Sequence, residues 1–271
     1  MREQIRELLA KLRLRGMEYA LDSELDRAER EGVPTAQVIH RLLLEEQAAR
    51  REKSLAYRLS QAKLPWNWTL ESFPFERQPG VDRAQIRSLA GLEFLHRNEN
   101  LLLIGPPGTG KSGIAIALLR EACLNAHPGR FYNAQELLDE LYASLADRST
   151  TRLISRLARM QPLVIDELGY LTLKPEQSNA FFRLMDQRYG RASTIITSNL
   201  LTDQWYELFD RKPLVDALLD RLQHHCITIR IEGPSLRTPT SQAPSDPAAS
   251  TKRPPRSAGR TKARPRTLSD Q

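Results

Sequence analysis

The chain has 271 residues, 40% of them hydrophobic and 27% charged, and a formal net charge of +7. That length allows one sizeable core with smaller appendages, and no apolar run approaches the roughly 18–20 residues of a membrane span. Residues 239–271 hold seven Lys/Arg against two Asp/Glu, so the other 238 residues carry only +2 and bulk charge alone does not select a nucleic-acid partner.

The N-terminus, MREQIRELLAKLRLRG, alternates charge and leucine and has no apolar signal-peptide core, so a cytoplasmic protein is expected. Residues 1–64 read as a small helical domain, with Leu8, Leu12, Leu21 and Leu25 at helical intervals and a break near Gly16. After EGVPT a longer helix is predicted from about Pro34 to Lys63, because the fixed φ of proline suits a helix start. Its second half gathers Arg50, Arg51, Lys53, Arg58 and Lys63 against Glu52. Residues 65–80 break the pattern: Pro65, Pro74 and Pro79 stand among Trp66, Trp68, Phe73 and Phe75, which predicts a linker whose aromatics need cover.

From residue 81 to 236 helical and β-rich runs alternate. Strands are predicted at Leu101–Ile104, Leu163–Ile165, Ser193–Thr197 and Ile227–Ile231, with a weaker one at Arg130–Tyr132. This is the pattern of an α/β fold with a parallel five-stranded sheet covered on both faces. Residues 237–271, proline-rich and basic, bury too little to offset their ordering entropy and are expected to be disordered. Cys123 and Cys226 have no metal-ligand spacing, and are expected to act as small buried hydrophobes.

Within this pattern one stretch carries specific chemistry. Gly105, Pro106, Pro107, Gly108, Thr109, Gly110, Lys111 and Ser112 meet the G-x-x-x-x-G-K-[ST] pattern, after an apolar strand and before a helix. Glycines let backbone N–H groups curl around phosphate oxygens, and the following helix points its positive end at the anion. Lys111 is placed for the β/γ-phosphates and the Ser112 hydroxyl for magnesium, so ATP and Mg2+ are the expected cofactors. The apolar strand of PLVIDELGY ends in Asp166, a second magnesium ligand, and Glu167, placed to polarise an attacking water. STIITSN ends in Asn199, either an orienting amide for that water or a turn-forming residue.

GPPGTGKS, LVIDELGYL, FFRLMDQRYGRASTIITSN, ALLDRLQHH and EGPSLR together resemble an AAA+ P-loop NTPase. More narrowly they resemble the IstB-like transposition helper ATPases of bacterial insertion sequences, relatives of the DnaC-like helicase loaders. The resemblance covers about Leu12 to Leu236. It implies an ATPase that forms homo-oligomers with shared ATP sites, assembles on duplex DNA and delivers that DNA to a cognate transposase; a replicative helicase loader is the alternative. It also implies that Arg221 acts as an arginine finger across subunits, with Arg188 as a rival, and that Arg237 senses the γ-phosphate. The aromatic found before that last arginine in the family is absent here. The resemblance places the adenine pocket at FPFERQPG, where Phe73 or Phe75 either stacks on the base or fills the core. It allows no full C-terminal lid.

Between the Tyr132 and Asp166 strands a helix, a break near Ser149 and a second helix are predicted. Arg152, Arg156 and Arg159 fall at i, i+4 and i+7, with Arg148 at the break, either a phosphate-contacting row or a solvated face. The resemblance favours DNA contact there. His224 and His225 point about 100° apart on a helix and are read as packing or surface residues. Trp66, Trp68 and Trp205 are read as packing.

Overall fold

The structure, a computed structural model, describes residues 1–169, 171, 173–209 and 212–237. The tail expected to be disordered therefore lies, from Thr238 onward, outside the described residues.

Three helices open the chain: α1 (Arg2–Lys11), α2 (Arg15–Glu31) and α3 (Thr35–Ala62). Their common core is small: Leu9, Ala20, Leu21, Val38 and Leu42. A polar clamp supplements it. Gly16 lies so close to α3 that a Cβ there would meet the Glu45 carbonyl at 2.5 Å. The Glu46 carboxylate accepts from the Gly16 amide (2.8 Å), the Met17 amide (3.4 Å) and Arg50 Nε (2.6 Å). Burial works against this carboxylate, but Arg50 and the two amides outweigh it and hold its pKa low. A pKa lowered in the folded state stabilises above the ordinary glutamate range, and that contribution is lost as pH falls. Glu46→Ala is expected to cost about 1–3 kcal/mol, because it leaves buried amides without an acceptor. The loss should shrink toward acid pH in denaturant melts at several pH values; an unchanged difference would mean that the amides find other acceptors.

The remaining described chain builds one parallel sheet. β1 (Asn100–Ile104), β2 (Arg130–Asn133), β3 (Leu163–Asp166), β4 (Thr194–Ser198) and β5 (Cys226–Arg230) lie in the order β2-β3-β4-β1-β5. β1, β3 and β4 are buried along their whole length, which is why they read as unbroken apolar runs. One face packs against α7 (Ala134–Ala146), α8 (Thr150–Leu157), α9 (Pro175–Arg188) and α10 (Lys212–His224), with Phe181 and fully buried Trp205 among its core residues. The other is covered by α4 (Arg83–Leu89), α5 (Glu93–His96) and α6 (Lys111–Leu124). Asp82 caps α4 by accepting from the Ala84 and Gln85 amides.

The aromatic stretch before α4 is part of this core. Phe73 is 4% exposed and packs on Trp68 and Phe75. Trp66 departs from the packing expectation at 57% exposed. Cys123 is buried as expected, whereas Cys226 is half-buried. No helix among the described residues is long and apolar enough to cross a membrane.

Candidate functional site

β4 lies between β1 and β3, so the chain leaves those two strands on either side of it. Such a point at the carboxyl ends of a parallel sheet is where open α/β sheets form their ligand crevice. The loop after β1, the Asp166–Glu167 pair at the end of β3 and Asn199 after β4 all stand there.

The Gly105–Ser112 loop is packed tightly from outside. Gly108 and Gly110 have φ of +82° and +94°, a region that side chains disfavour. A Cβ on Gly105 would meet the Ile231 carbonyl at 2.2 Å, and one on Gly110 the Phe73 ring at 2.7 Å. The Leu236 amide donates to the Gly108 carbonyl at 2.8 Å. Gln78, fully buried, donates from Nε2 to both Thr109 O (3.1 Å) and Pro234 O (3.0 Å). Two segments distant in sequence, 73–80 and 231–237, thus roof the loop and fix its curl. Phe73 fills this roof as core. Phe75 is half-buried beneath the Arg83 guanidinium, 5.3 Å from its ring centre.

Lys111, the first residue of α6, is 8% exposed, and its ammonium donates to Gly105 O (2.6 Å) and Pro106 O (2.7 Å). Burial lowers its pKa, the Asp166 and Glu167 charges oppose that, and Arg237 adds to it. Arg237 therefore stands close enough for its charge to be felt at the loop lysine. Asp166 is 3% exposed; burial raises its pKa, and hydrogen bonds from Thr197 and Ser112 counter that. Thr197 Oγ1 donates to Asp166 Oδ1 at 2.6 Å and accepts from the Glu167 amide at 2.9 Å. Ser112 and Asp166 thus bring a hydroxyl and a carboxylate together, hard oxygen donors of the kind magnesium takes.

Glu167 sits in the left-handed region, φ +60°, which turns its exposed side chain away from the strand line. Its Oε2 accepts from Asn133 Nδ2 at 3.2 Å. Asn133 Oδ1 caps α7 by accepting from the Gln135 amide at 3.0 Å, so its NH2 is left to face Glu167. Asn199 is half-buried against Gly169, where a Cβ would meet Asn199 Oδ1 at 2.1 Å.

Sequence reasoning missed three of these residues. Asn133 before AQELL was legible as a helix cap. Its place beside Glu167 follows from the β2–β3 register, Asn133 opposite Asp166. Thr197 and Gln78 gave no signal, since their partners are thirty or more residues away.

The candidate arginines separate. Arg188, the rival finger, is 1% exposed and donates to Thr194 Oγ1 (2.9 Å) and to the Leu157, Met160 and Ser193 carbonyls, so it is a structural strut and cannot reach another subunit. Burial lowers its pKa to about 9. Arg221 on α10 is 43% exposed and pairs with Asp186 at 3.0 Å. The expected row on the second helix is corrected: α8 ends at Leu157, so Arg159 lies beyond it and bonds the Ser155 carbonyl. Arg156 is paired with Glu140 at 2.8 Å, itself bonded to Tyr132. Arg148 and Arg152 are exposed, and among the described residues neither makes an ion pair. His224 is exposed, 3.1 Å from the Tyr189 hydroxyl.

This architecture is that of known proteins. The DnaC helicase loader superposes with a TM-score of 0.54 at 24% identity, over 63% of this chain and 100% of that one. AMPPCP-bound DnaA from Aquifex aeolicus gives a TM-score of 0.52 at 18% identity, over 63% of this chain and 51% of that one. These likenesses establish the AAA+ P-loop fold. In sequence, the chain is 39% identical over 230 residues to the ATP-binding protein of insertion sequence IS21 from Pseudomonas aeruginosa, covering 85% of this chain and 87% of that protein. It is 32% identical over 237 residues to the IS5376 counterpart from Geobacillus stearothermophilus, covering 88% and 94%. The family model described as IstB-like ATP binding protein matches residues 7–243, and the chain belongs to that family.

Proposed function

We propose that the protein is a Mg-dependent ATPase that assembles in copies on duplex DNA and delivers that DNA to the transposase of an insertion sequence. The observation that carries this reading is the convergence of Lys111, Asp166 and Glu167 at the carboxyl ends of β1 and β3. A buried ammonium bonded to backbone carbonyls, in a loop turned by two positive-φ glycines, fits a triphosphate. Ser112 and Asp166 would hold Mg2+, which would supply charge neutralisation at the phosphates. Glu167 acts as the base toward water, and Asn133 and the Thr197-bonded amide set its direction. Asn199 and Arg237 approach the same crevice as polar and cationic partners for the γ-phosphate.

The transposition client, rather than a helicase, is supported by the 39% identity to an insertion-sequence protein. Arg221, half-exposed on α10, serves as the finger that completes a neighbouring copy's site. Residues 1–64 form the N-terminal helical domain, 65–80 the linker and 81–236 the ATPase domain. Arg148 and Arg152 face the duplex, with Arg156 and Arg159 as secondary contacts.

Each phosphate neutralised contributes about −0.9 to the log–log salt slope. Arg148→Ala with Arg152→Ala should therefore flatten the slope of duplex binding by about 1.8 and weaken all duplex sequences alike. Fluorescence titrations at several salt concentrations check this, and an unchanged slope removes these residues from the DNA surface. ATPase stimulation by duplex should exceed that by single-stranded DNA; the reverse would favour a helicase client.

A further inference from the structure

Exposed large apolar side chains concentrate in the first three helices. Leu8, Leu12, Ile39 and Leu43 are all more than half exposed, although the bundle's own core is small. A groove of about 440 Å3 runs along α3 beside the α1–α2 corner, lined by Leu14, Leu43, Gln47, Arg50, Arg51 and Ser54, with Glu46 at its floor. Ile39, Leu43, Gln47, Arg50 and Ser54 recur at helical spacing along one stripe of α3. At 1.5 Å per residue that stripe is about 22 Å long, the length of a partner helix of about 15 residues.

The charges around it are arranged differently from the rest of the bundle. Elsewhere most of the arginines are matched, Arg2 with Asp26 and Glu29, Arg6 with Asp22, and Arg41 with Glu24, with exposed Arg30 the exception among the described residues. Arg13 and Arg15 flank Leu14, and Arg51 and Lys53 precede Ser54; all four are exposed, and none makes a side-chain hydrogen bond or ion pair among the described residues. The basic character of residues 50–63 was legible in the sequence, but its union with the α1–α2 corner was not.

We infer that this groove is a docking site for an acidic amphipathic helix of another protein. Its apolar stripe would lie on Leu14, Leu43 and Ile39, and its carboxylates would pair with Arg13, Arg15, Arg51 and Lys53. Phosphates would use the cations but gain nothing from the leucines, whereas apolar patches rimmed by charge mark protein interfaces. A second copy presenting this same face would oppose cation to cation. The site stands apart from the nucleotide crevice and does not rest on the ATPase reading.

The test uses the full chain and a fluorescent peptide of about 16 residues, with leucine at i, i+4, i+7 and i+11 and glutamate elsewhere. The peptide should bind, and a scrambled peptide of equal composition should bind at least about tenfold more weakly. Leu43→Asp and Arg51→Glu should each weaken binding at least about tenfold. Both side chains are exposed, so folding is spared, and unchanged ATP binding checks that. Lys111→Ala should bind the peptide as the parent does, which separates this site from the nucleotide site. Absent binding, equal binding of the scrambled peptide, or unaffected variants overturn the proposal. Displacement of the peptide by an unlabelled duplex also overturns it, and makes the groove a nucleic-acid surface.

Discussion

Glu167→Gln is expected to leave ATP binding intact and to slow hydrolysis by roughly 10²–10⁴-fold, the usual worth of a positioned general base. Glutamine keeps the shape of the side chain and can still accept from Asn133 Nδ2, so the turn at φ +60° should persist. What disappears is the capacity to take a proton from water. Lys111→Ala removes a different quantity. It deletes the buried cation proposed to face the phosphates, and a desolvated charge pair of this kind is worth about 2–5 kcal/mol, or roughly 30- to 5000-fold in affinity. The two proteins should therefore differ in kind: one occupied and slow, the other unoccupied at ordinary ATP concentrations. Equilibrium nucleotide binding and steady-state phosphate release distinguish them. If Glu167→Gln turns over at the parent rate, the base lies elsewhere in the crevice.

The second large effect concerns stability. Arg188→Met is expected to cost about 3 kcal/mol or more, because four buried hydrogen bonds are lost and the Met160 carbonyl is left without a donor, while the Leu157 and Ser193 carbonyls keep only the Met160 and Leu163 amides. For a domain of this size that corresponds to a fall of roughly 6–12 °C in Tm. Lysine should not rescue it, since one ammonium cannot span acceptors on the α8 end, the turn after it and the start of β4. Arg221→Ala should do the opposite: leave Tm within about 1 °C, as exposed ion pairs contribute little, and lower DNA-stimulated ATPase by roughly 10³–10⁵-fold. Calorimetry and turnover measured on both variants give the comparison. A stable Arg188→Met protein would remove the strut assignment.

The contrast between these two arginines shows where sequence reading stops. Both lie in helical stretches with similar local spacing. What separates them is whether carbonyls from three other segments converge on the side chain, and no local pattern encodes that. The same holds for Arg156, whose neutralising partner Glu140 is on the preceding helix. By contrast, β1, β3 and β4 were legible to within about a residue, because full burial on both faces demands an unbroken apolar run. The nucleotide loop was legible because phosphate contact demands glycine at fixed offsets. Its roof was not, since Gln78 and Phe73 serve through packing and backbone bonds that many residue types could make in another fold.

α3 runs 28 residues without a glycine or proline to bend it, about 42 Å from end to end. Its middle carries the groove, and its root is bolted to the sheet domain: Arg58 bonds the Cys123 carbonyl, Arg130 bonds the Gln61 carbonyl, and Ala62 is fully enclosed. β2, which begins at that bolt, ends three residues later at Asn133, the amide that steadies Glu167. A rigid lever anchored so close to Glu167 would turn a sideways pull along its length into torque at its pivot.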